Sequence, residues 1–63
     1  MASIRTTFKG VIYEVSAKRH SEHDLRVVAR FARRHARTPQ GFARVINTVL
    51  GEKAARRVGK RRR

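Results

Sequence analysis

Ser3-Ile4-Arg5-Thr6-Thr7-Phe8-Lys9-Gly10-Val11-Ile12-Tyr13-Glu14-Val15-Ser16 is the stretch that sets the fold class. Ile4, Thr6 and Phe8 alternate with Arg5, Thr7 and Lys9, and Val11, Tyr13 and Val15 alternate with Ile12 and Glu14, the period-two pattern of half-buried strands. Placing Lys9-Gly10 as a two-residue turn sets Phe8 opposite Val11, Thr6 opposite Tyr13 and Ile4 opposite Val15, all on one face. The same register puts Arg5 opposite Glu14 on the other face, a favourable cross-strand pair. Lys-Gly is a weaker hairpin turn than Asn-Gly, so the register rests mainly on the strand pattern. Two strands alone are barely stable in water. Their apolar face therefore needs a cover, and the residues that follow read as helices.

Ser21, followed by Glu22, His23 and Asp24, reads as an N-cap with acids in the first helical turn. From Asp24 to about Arg37, at about 100° per residue, Leu25, Val27, Val28, Phe31, Ala32 and Ala36 share one broad side. Arg26, Arg30, Arg33 and Arg37 fall in a narrow stripe on the opposite side. Thr38-Pro39 ends this helix and starts another, with Thr38 as N-cap and Pro39 at the first helical position. Phe42, Val45, Ile46, Val49 and Leu50 then form an apolar stripe, with Arg44, Asn47, Thr48 and Gly51 opposite. Gly51 is the expected C-cap. Extending this helix would bring Lys53, Arg56 and Arg57 onto its apolar face, so a break is expected there, with 52–58 open to one more short helical segment.

The expected fold is α+β: an N-terminal two-stranded β-hairpin packed on two α-helices (ββαα), the optional third helical segment, and a disordered basic tail. Residues 1–58 read as a single small basic domain and 59–63 as the tail. A chain of 63 residues has a small core and marginal stability. It has no cysteine to staple that core, which suits a reducing, cytoplasmic location. No apolar run is long enough to span a bilayer. The start, Met1-Ala2-Ser3-Ile4-Arg5, lacks the apolar segment of a secretory signal, so the whole chain reads as mature protein.

Charge dominates the composition. Seventeen Lys and Arg face four Asp and Glu, a formal net charge of +13. Crowding like charge opposes compaction, and a polyanionic partner removes that penalty with a gain from counterion release. Between 25 and 51 stand six arginines and one histidine without a single acid. Ordinary solvated helix faces mix both signs. A one-signed face is the footprint of a nucleic-acid binder.

Catalytic chemistry finds little footing. His20, His23 and His35 are the only histidines, and His20-x-x-His23 matches no standard zinc spacing; no metal or cofactor is implied. His35 falls on the apolar side of the first helix, where a half-buried, hydrogen-bonded histidine is expected. Glu14 is the only carboxylate away from the predicted helix ends, so no acid–base pair is evident. Gly10, Gly41, Gly51 and Gly59 are too scattered for a phosphate-cradling loop.

The candidate functional residues are therefore binding residues. Arg26, Arg30, Arg33 and Arg37 would contact the phosphate backbone. Arg56, Arg57, Lys60, Arg61, Arg62 and Arg63 would add affinity without reading sequence. Arg44, Asn47 and Thr48 would touch base edges, because Arg and Asn carry the donor geometry for guanine and adenine. Two helices joined by a short turn resemble helix-turn-helix readers, and Phe42-Ala43-Arg44-Val45-Ile46-Asn47 resembles the recognition-helix stretch of lac-repressor-type regulators. Leu50 to Val58 resembles, more faintly, the helix-hairpin-helix backbone-binding motif. The first helix is longer than in the repressor motif and a third supporting helix is missing, so neither resemblance assigns a family.

The leading expectation is a non-enzymatic duplex-DNA-binding accessory or regulatory protein of phage or mobile-element type. A homodimer would supply the contact area that one short chain lacks. The alternatives are structured RNA, including the ribosome, and a protein partner whose acidic or nucleic-acid-binding surface this chain would block. Membrane attachment through a basic amphipathic helix is disfavoured by the globular pattern. Phe8, Tyr13, Phe31 and Phe42 all fall on expected core positions, which leaves no exposed platform for stacking single-stranded bases.

Overall fold

A computed structural model describes residues 1–61; Arg62 and Arg63 of the expected tail lie outside the described residues. The element order is β1 (Ala2–Phe8), β2 (Val11–Ala17), α1 (Glu22–His35), α2 (Pro39–Leu50) and β3 (Ala55–Lys60). The strands form one antiparallel sheet with β2 in the centre. Both helices cover the face that carries Phe8, Val11, Tyr13 and Val15.

The hairpin has the register its alternation dictates, with Phe8 opposite Val11, Thr6 opposite Tyr13, Ile4 opposite Val15 and Arg5 opposite Glu14. Its turn places both Lys9 (φ 49°) and Gly10 (φ 81°) in the left-handed region, the combination a type I′ turn requires and the one that matches strand twist. The Ser21 hydroxyl caps α1 by accepting from the Asp24 N–H at 3.2 Å. Thr38 caps α2 by accepting from the Gly41 N–H at 3.0 Å, with Pro39 in the first turn. Gly51 closes α2 at φ 73°, a backbone angle that glycine adopts without steric penalty.

Phe42, Leu25, Ile46 and Val15 are the largest fully buried side chains. Phe42 stacks on Phe8 with ring centroids 4.7 Å apart and planes within 5°. Tyr13 tilts against Phe42 at 5.6 Å, and its hydroxyl donates to the Pro39 carbonyl at 2.9 Å, fixing where α2 begins over the sheet. Complete burial of a side chain of this size stabilises by about 1.5–3 kcal/mol, so these few residues carry most of a small core.

The region after Gly51 departs from expectation. In place of a helical segment over 52–58, residues 55–60 form β3, and the expected tail is strand as far as Lys60, with the Arg61 N–H donating to the Gly10 carbonyl at 2.6 Å. Local propensity in Lys53-Ala54-Ala55-Arg56-Arg57 favours helix, but a hairpin alone leaves one edge of β2 without partners for its backbone groups. Pairing with β3 satisfies that edge. The Asn47 side chain directs the chain into it: Oδ1 accepts from the Ala54 N–H at 3.0 Å and the Ala55 N–H at 2.8 Å.

The core face of α1 is also narrower than its apolar pattern. Leu25, Ala29 and Ala32 are buried, with Val28 and Ala36 packed beside them. Val27 and Phe31 remain 49% and 47% exposed. Small alanines let the helix sit close to the sheet, and a close helix buries only a limited arc. His35 is exposed too and lies tilted against Phe31 with ring centroids 4.4 Å apart, in place of the half-buried position expected.

Candidate nucleic-acid interface

The arginine stripe of α1 does not stand opposite the core. With the buried arc centred on Leu25, Ala29, Ala32 and Ala36, the stripe lies on the flank of the helix beside the free edge of β1. Arg26, Arg30 and Arg33 line a groove there together with Ile4, Arg5 and Thr6. Two of its members are engaged within the protein. Arg26 pairs with Glu22 at 2.9 Å. Arg33 donates to the Thr6 hydroxyl at 3.0 Å and the Thr7 carbonyl at 2.7 Å. Its guanidinium also lies about 6 Å from the Phe8 and Phe42 rings. Arg30 and Arg37 are exposed and make no ion pair or side-chain hydrogen bond among the described residues, and Arg37 lies beyond the extended C-cap Ala36, so the helical stripe ends at Arg33.

The α2 candidates divide. Arg44 and Thr48 are exposed, whereas Asn47 is half-buried and its Oδ1 holds the start of β3. Gln40 is exposed as well, and Gln40, Arg44 and Thr48 stand at i, i+4 and i+8, one line on the outer surface of α2. The i, i+4, i+8 spacing of these three residues is legible in the sequence.

The C-terminal cations divide as well. A bulge between Ile12 and Tyr13 on β2 pairs Tyr13 with Arg57 and Ile12 with Gly59, leaving Val58 as the extra residue on β3. Bulges re-aim side chains. Here the shift sets Arg57 and Lys60 both on the helix side of the sheet. They line a groove of about 690 Å³ between α2 and β3 with Gln40, Arg44 and Thr48. Arg56 faces the other way, onto the open face of the sheet, where it bonds Glu14 at 3.2 Å. It is separated from its sequence neighbour Arg57 by the full thickness of the sheet.

Topology sorts the charges between the two ends of the sheet. The hairpin turn, the C-terminus of α1, the start of α2 and the end of β3 lie at one end. That end carries Lys9, Arg33, Arg34, Arg37, Lys60 and Arg61. Three of the four acids, Glu22, Asp24 and Glu52, sit at the other end, beside Lys18, Arg19 and Lys53. The fourth, Glu14, is paired on the sheet. Among the described residues, the turn end has no acid. Lys9 and Arg34 belong to it although the sequence pattern singled out neither.

Among the described residues, no three His, Cys, Asp or Glu side chains gather where they could hold a metal ion. His20 and Asp24 approach to 4.0 Å, and His23 is exposed on the first turn of α1. None of the described helices is long and apolar enough to cross a membrane. No family model, curated protein or solved structure matches this chain.

Proposed function

We propose that this protein is a non-enzymatic nucleic-acid-binding protein, an accessory or regulatory factor that docks its turn end on duplex DNA. The observation that carries this reading is the segregation of charge. Cations from the hairpin turn, α1, the α1–α2 connection and β3 converge on one acid-free end, while three of the four acids stand at the far end. A solubility surface gains nothing from such sorting, because mixed charge disperses a protein better. A polyanion rewards it twice, by counterion release and by steering the molecule end-first.

Duplex DNA is favoured over RNA by the shape of α2. Its outer line of Gln40, Arg44 and Thr48 is flanked by Arg57 and Lys60 and presents donors at the side of the basic end. The B-form major groove, about 12 Å wide, admits a helix and offers base edges that Gln and Arg read. The corresponding groove of A-form RNA is too deep and narrow for this. Arg57 and Lys60 would hold phosphates while α2 reads bases.

The test is a fluorescence-anisotropy titration of blunt duplex DNA, structured RNA and single strands from about 50 to 300 mM salt. Engagement of about six phosphates gives a slope of about −5 in log K against log salt on duplex DNA. Tighter binding to RNA at every salt would replace duplex DNA with structured RNA. Weak, equal binding to all three, lost by about 150 mM, would sink the reading and direct the search to a protein partner with an acidic surface.

A further inference from the structure

The outer surface of α1 next to the basic end carries a feature that duplex docking does not use. Phe31 is 47% exposed and Val27 49% exposed on a small protein whose other aromatic rings are buried. The imidazole of His35, one turn along, lies against the Phe31 ring at 4.4 Å with planes 40° apart. Arg30 and Arg34 complete an open cleft of about 540 Å³ around these rings. Every residue lining it is apolar, aromatic or basic. Its occupant must therefore combine a flat apolar surface with negative charge.

We infer that this cleft is a stacking site for an unpaired nucleobase, which lies on Phe31 while Arg30 and Arg34 hold its phosphates. The inference rests on the nucleic-acid reading above and deepens it: the preferred ligand is a duplex that ends in, or opens into, a single strand. Stacking on an aromatic ring accepts any base, because every base has a π face, and a guanidinium beside the ring binds a phosphate bidentately. Position supports the same occupant. Arg34 belongs both to the cleft and to the basic end, so a strand leaving a duplex held at that end meets Phe31 within one helical turn. A second copy of this chain fits poorly. Around a two-fold axis it would bring Arg30 and Arg34 against their own counterparts, with no acid in the patch and +13 on each chain. Burying like charges face to face is unfavourable.

The experiment compares three ligands by anisotropy: a blunt duplex, the same duplex with a single-stranded extension of about four nucleotides, and that duplex with an abasic extension. The abasic form keeps the phosphates and removes the bases. The expected result is that the base-bearing extension binds about 5-fold or more tighter than the abasic one. Phe31→Ala and Phe31→Leu should each bring that ratio close to one, and Phe31→Tyr should keep it. Phe31→Leu preserves apolar bulk, so a loss shared by Ala and Leu reports the aromatic face and not a packing defect. Equal binding of the base-bearing and abasic extensions by the unsubstituted protein overturns the inference, as does a ratio that survives Phe31→Ala. If that ratio is one while the blunt duplex still binds, duplex docking stands and only the stacking site falls. A protein that sediments as a dimer and becomes monomeric with Phe31→Ala, its ratio unchanged, would assign the patch to a second copy and overturn the inference as well.

Discussion

Arg33 donates to the Thr7 carbonyl across 26 positions of sequence at 2.7 Å, fastening the last turn of α1 to the outer edge of β1. The same guanidinium reaches the Thr6 hydroxyl and lies about 6 Å from the Phe8 and Phe42 rings. An exposed sheet edge invites pairing with other chains, and Arg33 occupies part of this one. The residue is therefore both a member of the basic end and a structural tie, which separates it from its neighbours on the stripe.

Arg33→Ala should lower unfolding free energy by about 1–2 kcal/mol, the scale of hydrogen bonds to a charged group reduced by exposure. Arg30→Ala should leave stability nearly unchanged. Urea denaturation followed by circular dichroism, at constant m value, separates the two. Equal stability of both variants would show that the Arg33 tie contributes nothing.

Asn47→Ala removes the acceptor for two backbone N–H groups at the start of β3. Orphaning partly buried donors costs about 1–3 kcal/mol, and the loss should appear first as faster amide exchange in β3. Asn47→Asp keeps the acceptor oxygens and should be milder. An Asn47→Ala variant of unaltered stability but changed DNA sequence preference would restore Asn47 as a reader.

Lys9 occupies φ 49° in the hairpin turn, where a side chain other than Asn, Asp or Gly is disfavoured by about 1–2 kcal/mol. Lys9→Asn should raise stability by about 0.5–1 kcal/mol. Because Lys9 belongs to the basic end, the same substitution should weaken binding to duplex DNA. Thermal melts and anisotropy on one preparation test both halves; a variant improved in both would remove Lys9 from the interface.

Arg34→Ala and Arg37→Ala should each weaken binding to every sequence alike and reduce the salt slope by about one. Arg19→Ala, at the end that holds the acids, should do neither. Arg44→Ala and Gln40→Ala should instead change sequence preference, by about 1–3 kcal/mol at the base each would contact. Similar losses from Arg19→Ala and Arg34→Ala would mean that net charge, not the basic end, governs binding.

Phe42→Ala should remove a fully buried ring that stacks on Phe8, at about 3–5 kcal/mol, more than so small a core can tolerate. Loss of dispersed amide signals in a two-dimensional NMR spectrum is the expected readout. A folded variant would mean that the core does not depend on this ring.

Much of the architecture was legible in residue order because it is written in short-range chemistry. The period-two alternation of Ile4 to Val15 fixes a register, since a slip of one residue would send every apolar side chain to solvent. Ser21, Thr38-Pro39 and Gly51 mark helix ends through bonds that close within a few residues. The apolar pattern of α1 is not buried in full. Val27, Phe31 and His35 follow the helical period as well as Leu25 and Ala32 do, yet one sheet and one neighbouring helix cannot cover so wide an arc. The arginine stripe, placed opposite the middle of that arc, consequently moved to the flank.

Residue order alone specifies the hairpin, its register, both helices with their caps, and a net charge of +13. Each of these depends on neighbours along the chain or on simple sums over it. That 55–60 is a strand follows from long-range pairing, because the demand it answers is the unpaired edge of β2, some forty positions earlier. The same pairing, with its bulge at Val58, turned Arg57 and Lys60 toward α2 and Arg56 away, and it engaged the Asn47 Oδ1 with the start of β3. Charge is a property of residues. Which charges share an end of the molecule is a property of topology, and no local pattern encodes it.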